Sequence, residues 1–521
     1  MTDQDDATSG GEGTRDARWL WGLRALGLVA AGLVWLLLGG SEDLSPDARA
    51  VAAVGTLMAI WWMTEALPLS ATSLLPIVLL PALTGVSVGD ATAPYASSVV
   101  FLFLGGFLIA IAMEKWHLHT RIALMTLSRV GVAPRRIVLG LMLATGFLSM
   151  WVSNTATTLM MLPIGLSVLS LVVARSASSQ GAEVEEELQR GGAISDTVQD
   201  PQIQRFGVCL VLAIAWAASM GGLGTLLGSP PNAIVAGYAS DELGREIGFL
   251  NWMMIGFPLA LVFILVGWVL MTRVLYRFTL DEIPGGQKMI GDELARLGPL
   301  SQGEKMVLAV FCGAAFFWIV PGLVAQVTGL DWIDPFDDTA IAIAAGLALF
   351  ILPGRGRSEM VIGWADAERG LPWGVLLLFG GGLSLAAAVS ATGLDSWFGD
   401  RVAGLGVLPM LALVGAVVTI VLFLTEITSN TATAATFIPI LGGVAIGLDV
   451  DALTLLIPAA FAATCAFMLP VGTPPNAIVF GSGAVTIGQM ARGGVVLNVV
   501  GILLITAFCY LLGGVALGLE F

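Results

Sequence analysis

The sequence predicts an all-α polytopic membrane protein of about eleven transmembrane helices plus two re-entrant hairpins, built as an inverted repeat. Three observations predict it. The 521 residues are 57% hydrophobic and only 12% charged, against roughly 25% charged in soluble domains. Apolar runs of membrane-crossing length recur along the whole chain. One polar word, Ser153-Asn154-Thr155-Ala156-Thr157, sits inside a strongly apolar stretch and returns as Ser429-Asn430-Thr431-Ala432-Thr433.

The elements follow in chain order. Asp3, Asp5, Asp6, Glu12 and Asp16 make residues 1–17 an acidic, solvated and disordered tail, and Glu183 to Glu187 reads the same way. The first transmembrane helix belongs to 18–45. It follows an acidic tail, not a basic region with a small-residue cleavage site, so it is expected to be an uncleaved span. Further apolar runs fall near 49–66, 69–85, 97–114, 206–238, 252–274, 305–326, 339–352, 371–393, 452–481 and 494–517. Two more stretches, 137–172 and 407–446, are too long for one span and carry the polar words where a crossing helix would meet lipid. Polar irregular backbone survives at that depth only when buried in protein or lining a cavity, so each is read as a hairpin with the word at its tip.

The basic residues support this topology. With the N-terminus in the cytoplasm and the hairpins returning to their own sides, only Arg49, Arg245 and Arg401 of the 23 Lys and Arg residues fall outside. That is the asymmetry expected of cytoplasmic loops. The C-terminus then lies outside, the first hairpin enters from the cytoplasmic side and the second from the outer side. The first repeat spans 46–275, the second, inverted one spans 305–521, and 276–304 is a cytoplasmic linker.

The repeat extends beyond the polar words. Phe101-Leu102-Phe103-Leu104-Gly105-Gly106 matches Leu376-Leu377-Leu378-Phe379-Gly380-Gly381, and the words follow at equal distance, from 105 to 153 and from 381 to 429. Then come Gly228-Ser229-Pro230-Pro231-Asn232-Ala233-Ile234-Val235 and Gly472-Thr473-Pro474-Pro475-Asn476-Ala477-Ile478-Val479. A Pro-Pro pair removes donors and forces the residue before it out of helical geometry. The runs 206–238 and 452–481 are therefore predicted to be broken helices. Such breaks free backbone carbonyls for cations and aim the next helix N-terminus at an anion. Ser, Thr and Asn at the tips supply hydroxyl and carboxamide groups that suit a hard cation or a carboxylate. No Arg, Lys or His lies near either word, so an anion bound there would be balanced by cations or helix dipoles.

The remaining reactive groups point elsewhere. Cys209, Cys312, Cys465 and Cys509 lack metal-binding spacing and read as buried small hydrophobes. Glu65 and Glu426 follow a threonine in apolar surroundings and are expected to brace the structure and not to relay protons. With only two histidines, His117 and His119, no nucleophile–base pair and no metal cluster, an enzyme is not expected. Nor does the net charge of −15 suggest a nucleic-acid partner.

The paired words, the two Pro-Pro breaks and Trp61-Trp62-Met63-Thr64-Glu65-Ala66-Leu67-Pro68 resemble the divalent anion:sodium symporter family of di- and tricarboxylate carriers, over nearly the whole chain from about Trp19. The resemblance implies a homodimer in the cell inner membrane working by an elevator motion. It implies one Na⁺ site from Ser149, Ser153, Asn154 and the Gly228 backbone, and another from Thr425, Thr428 through its carbonyl, Asn430 and the Gly472 backbone. Substrate carboxylates would meet Asn154, Thr155, Ser229, Asn430, Thr431, Thr473 and Pro474. The expected activity is Na⁺-coupled import of C4-dicarboxylates such as succinate, malate and fumarate. The rivals are a cation-independent dicarboxylate exchanger and a citrate or sulfate carrier on the same scaffold.

Overall fold

The computed structural model describes residues 17–41, 43–131, 133–176, 194–280, 286–329, 337–356, 359–402 and 409–521. The acidic tail before Ala17 and the Glu183 to Glu187 cluster lie outside them. The described chain is helical apart from a two-stranded ribbon, Pro353–Arg355 with Glu359–Met360. Among the described residues, nine helices are long and apolar enough to cross a membrane, and shorter apolar helices add to them. The protein is an all-α polytopic membrane protein.

Two broken helices form its centre. The first runs Pro201–Gly221, opens, and resumes as Pro230–Asp241; from Phe206 to Gly221 every residue is buried. The second runs Leu453–Thr464 and resumes as Pro474–Gly481, its first part buried throughout. Proline stands at the start of each resumed helix, where its missing N–H is no loss and its fixed φ suits the first turn. Ser229 and Thr473 before it are extended, at φ −150° and −141°.

Each polar word lies at a turn between two contacting helices. The first hairpin is Pro134–Ser149 and Asn154–Ser176, the second Met410–Thr425 and Asn430–Gly447. The first packs on Pro201–Gly221 and the second on Leu453–Thr464. The resumed helices cross over: Pro230–Asp241 packs on Asn430–Gly447, and Pro474–Gly481 on Asn154–Ser176. The two halves thus share one core, closed on one side by Phe249–Leu270 and Ile487–Leu517.

The other helices form an outer layer, including Ala17–Leu37, Pro46–Thr64, Ser98–Lys115, Gln302–Thr328, Asp338–Ile351 and Trp373–Ala391. Ala17–Leu37 leaves Trp19, Trp21, Leu36 and Leu37 exposed, as a lipid-facing helix should. Buried Arg121 pairs with buried Glu304 at 2.6 Å and donates to Gly298 O at 3.0 Å, tying Leu118–Val130 to the start of Gln302–Thr328.

Two expectations need correction. The span read at 69–85 is two pieces, Leu69–Thr72 and Leu75–Leu83. Pro76 cannot donate back, and Ser73 is held by its own bond to Leu69 O (2.7 Å) and by the Trp62 indole N–H (3.2 Å). The break lets the Gly381 backbone press against Ser73, where any side chain would collide. Cys312 is exposed on Gln302–Thr328, while the other three cysteines are buried as expected.

Candidate functional site

At the first tip a hydroxyl, a carboxamide and two backbone carbonyls converge. Ser149 Oγ donates to Ala218 O at 2.8 Å. The Asn154 carboxamide lies 2.5 Å from Ser149 Oγ, 3.1 Å from Ala218 O and 3.2 Å from Gly228 O, within reach of its NH₂ to donate to all three. The second tip repeats the pattern. Thr425 Oγ1 donates to Ala463 O at 2.9 Å, and the Asn430 carboxamide lies 2.7 Å from Thr425 Oγ1 and 3.0 Å from both Ala463 O and Gly472 O, within reach of its NH₂ to donate to all three.

Each cluster therefore sets a hydroxyl, a carboxamide and two backbone carbonyls around one point. The carboxamide NH₂ satisfies the other three oxygens when it faces them, and turning the group over would present its oxygen in their midst. Neutral oxygen ligands of this kind suit a hard, weakly charged ion.

The broken helices present these carbonyls because their openings are pinned. Asn232 of the first Pro-Pro-Asn donates to Gly222 O (2.9 Å) and Thr225 O (2.8 Å). Asn476 of the second donates to Ala466 O (3.0 Å) and Leu469 O (3.1 Å). Each buried carboxamide staples the loop ten residues behind it, leaving the break open but fixed. Close approach demands glycine as well. A side chain at Gly221 would run into the Gly146 backbone, and one at Gly222 would press on the Asn154 carboxamide. Gly221→Val is therefore expected to lift the first hairpin off its partner, destabilising the protein by about 1–3 kcal/mol and lowering uptake at least ~10-fold. Thermal unfolding and transport assays of the purified variant check this.

Hairpin tip and loop are joined differently in the two halves. In the first, the Thr225 hydroxyl donates to Met150 O at 2.5 Å. In the second, the residue matching Met150 is Glu426, a buried carboxylate. It accepts from the backbone N–H of Phe467 (2.8 Å), Met468 (3.0 Å) and Leu469 (3.0 Å), and from Asn498 Nδ2 (2.6 Å). Glu426 is thus a brace, linking the second tip to the loop and to the last long helix.

The other sequence-predicted residues divide. Ser229 and Thr473 sit at the openings, and Ser229 Oγ accepts from Thr464 Oγ1 at 3.0 Å, so the two broken helices touch there. Thr473 Oγ1 caps its helix by accepting from Asn476 N. Thr155 and Thr431 follow the asparagines in the first turns of their helices, half-buried, and Pro474 is exposed beside Thr473. Ser153 is not drawn into the first cluster: its Oγ caps Asn154–Ser176 by accepting from Ala156 N at 3.2 Å. Nor does the Thr428 side chain join the second, since it bonds Leu424 O and Thr433 Oγ1 within its hairpin. Sequence reading missed the Ala218 and Ala463 carbonyls, Thr464, Thr225 and the stapling role of Asn232 and Asn476. Only the last had a signal, because both asparagines stand inside the repeated motif.

Residues 19–517 match the family model described as the sodium:sulfate symporter transmembrane region. A protein of Staphylococcus saprophyticus named sodium-dependent dicarboxylate transporter SdcS is 41% identical over 500 residues, covering 95% of this chain and 92% of that protein. The protein of that name from Staphylococcus aureus is 41% identical over 503 residues, with the same coverage. Among solved structures, the YdaH transporter of Alcanivorax borkumensis matches at TM-score 0.56 and 15% identity, covering 89% of this chain and 98% of that one. That likeness concerns the fold alone. With nearly its full length matched, the chain belongs to the sodium:sulfate symporter family of membrane transporters and is not an enzyme.

Proposed function

We propose that the protein is a sodium-coupled secondary active transporter that imports C4-dicarboxylates such as succinate, malate and fumarate. The observation that carries this reading is the pair of matching clusters, one at each hairpin tip, where a hydroxyl, an asparagine carboxamide and two backbone carbonyls meet. Na⁺ at the first is held by Ser149, Asn154, Ala218 O and Gly228 O; Na⁺ at the second by Thr425, Asn430, Ala463 O and Gly472 O. The relatives named sodium-dependent dicarboxylate transporters support both the ion and the substrate class.

The substrate lies between the tips. Helices Asn154–Ser176, Asn430–Gly447, Pro230–Asp241 and Pro474–Gly481 all begin at the tips or the openings, and helix N-termini carry partial positive charge. With the two ions they balance a dianion without any Arg or Lys. Among the described residues no cationic side chain bonds to either cluster. Substrate carboxylates are received by Asn154, Thr155, Ser229, Asn430, Thr431, Thr473 and Pro474. The asparagines serve ion and substrate together, the oxygen toward Na⁺ and the NH₂ toward a carboxylate, so neither binds well without the other. That dependence is what coupling requires.

In the membrane, the hairpins are re-entrant from opposite sides, the N-terminus is cytoplasmic, the C-terminus lies outside and the repeats are inverted. The shared core moves as the elevator against the outer layer, which forms the homodimer contact in the cell inner membrane. Cation-independent exchange and citrate or sulfate transport are the rival activities on this scaffold. Radiolabelled succinate uptake into proteoliposomes, with an inward Na⁺ gradient set against an equal K⁺ gradient, tests the reading. Uptake that needs Na⁺ and rises steeply with it supports symport. Uptake in K⁺ that needs internal dicarboxylate makes the protein an exchanger.

A further inference from the structure

A polar cavity of about 230 Å³, lined by no hairpin-tip residue, has no part in the transport reading. It opens where three elements meet: the start of the first broken helix, the end of the Phe249–Leu270 helix and the start of Ile487–Leu517. Gln204, Arg205, Tyr276, Gln489, Arg492 and Gly493 line it, and among the described residues no Asp or Glu does.

The lack of an acid sets these arginines apart. Lys115 has Asp366 at 2.8 Å, Arg121 has Glu304 at 2.6 Å and Arg245 has Asp451 at 2.6 Å. Arg205 makes only a long contact to Arg277 O, at 3.5 Å, and Arg492 bonds to no described residue. Guanidinium groups in this setting favour an oxyanion that both can reach.

The cavity floor is constructed, not incidental. Phe249–Leu270 ends in a wide π turn, Met271–Leu275, closed by Tyr276 N to Met271 O at 2.9 Å. Single π turns of this kind recur at functional sites. The turn swings Tyr276 across to Ile487–Leu517, where its hydroxyl donates to Gln489 O at 2.8 Å. The ring lies against Trp216, with centroids 6.3 Å apart. Gly493 is obligatory beneath it, since a side chain there would overlap both the Tyr276 hydroxyl and the Trp216 ring. Three elements are thereby locked around one electropositive hollow. Val274, Ile487 and Val495 lie exposed on the flanking elements, so apolar surface runs alongside the cavity.

We propose that this cavity binds a phosphate group, and that the phosphate is the headgroup of an anionic phospholipid in the cytoplasmic leaflet. The leaflet follows from the orientation given under the proposed function; the phosphate chemistry does not depend on it. Arg205 and Arg492 grip the phosphate oxygens, Gln204 and Gln489 face the polar headgroup, and the acyl chains lie along Val274 and Val495. Basic hollows between transmembrane helices are suited to such headgroups. The lipid would anchor the cytoplasmic end of the first broken helix, the element whose other end supplies Ala218 O.

The test compares the full-length protein with R205Q/R492Q, each in nanodiscs of phosphatidylcholine with and without phosphatidylglycerol, with retained lipid read by native mass spectrometry. Wild type is expected to hold phosphatidylglycerol at least tenfold over phosphatidylcholine, and R205Q/R492Q to lose that preference. R296Q, which removes an exposed arginine elsewhere, is expected to keep it. Unchanged thermal unfolding shows that a variant is folded; if the double variant fails this, R492Q alone is used. Inorganic phosphate and glycerol 3-phosphate, titrated calorimetrically, form the second arm. Binding of these by wild type and not by the variant, without a lipid preference, keeps the phosphate site and overturns the lipid source. Equal lipid retention and equal or absent phosphate binding in both proteins overturns the site.

Discussion

Asn154→Ala and Asn430→Ala are each expected to abolish Na⁺-driven succinate uptake, by at least ~100-fold, equivalent to about 2.8 kcal/mol. The size follows from the double use of each carboxamide. It stands within 3.2 Å of three oxygens in both clusters. On the proposed reading alanine removes an ion ligand and a substrate donor in one step, so the losses compound. Both asparagines are the first residues of their helices and only half-buried, so folding and membrane insertion should survive. The measurement is initial uptake in proteoliposomes at matched protein content, with size-exclusion profiles confirming an intact fold. Active transport by either variant would remove its cluster from the mechanism. The repeat adds a sharper expectation: the two variants should fail alike, because the clusters match atom for atom.

Glu426→Gln carries the second large effect. The carboxylate accepts four N–H groups, three of them from the loop that leads to Gly472. Glutamine keeps one acceptor but turns an NH₂ toward backbone donors, leaving buried N–H groups unpaired at about 1–3 kcal/mol each. The Glu426 backbone also lies against Gly472, so the loop cannot shift without moving the Gly472 carbonyl. The Na⁺ concentration for half-maximal uptake is expected to rise at least ~10-fold. Met150→Leu, at the matching place in the first half, should change it less than ~3-fold, because there the Thr225 hydroxyl and the Met150 backbone make the link. Equal effects at both positions would show that Glu426 does not position the second ion site. The contrast separates a role at that site from general weakening of the fold.

Much of this was legible because the decisive signals are local. A polar word in an apolar run and a Pro-Pro pair act within a turn or two of the backbone, so 153–157, 429–433 and the two breaks could be read directly. Ser149 and Thr425 were readable only through the family resemblance, since a lone hydroxyl one turn before a tip is not distinctive. The Ala218 and Ala463 carbonyls were not readable, because any residue offers a carbonyl and only the fold decides which ones face inward. Ser153 illustrates the converse. Its hydroxyl looks like a ligand in the sequence, yet it is spent within its own hairpin, on a cap. The break within 69–85 was hidden because Pro76 sits in an apolar run of crossing length, and the Trp62 indole and Gly381 backbone that meet Ser73 lie elsewhere in the sequence. Glu426 was legible as a brace, but its partners Phe467, Met468, Leu469 and Asn498 were not, lying some forty to seventy residues away.

The central claim is that the two oxygen clusters carry Na⁺ along with the dicarboxylate, and a flux of the ion itself tests it most directly. Proteoliposomes would be loaded with equal Na⁺ on both sides, ²²Na⁺ added outside and an inward succinate gradient imposed. The account predicts that ²²Na⁺ accumulates inside only when succinate is supplied, and that neither Asn154→Ala nor Asn430→Ala supports it. Succinate entry with no accompanying ²²Na⁺, in a wild-type protein active in the same vesicles, would contradict the account.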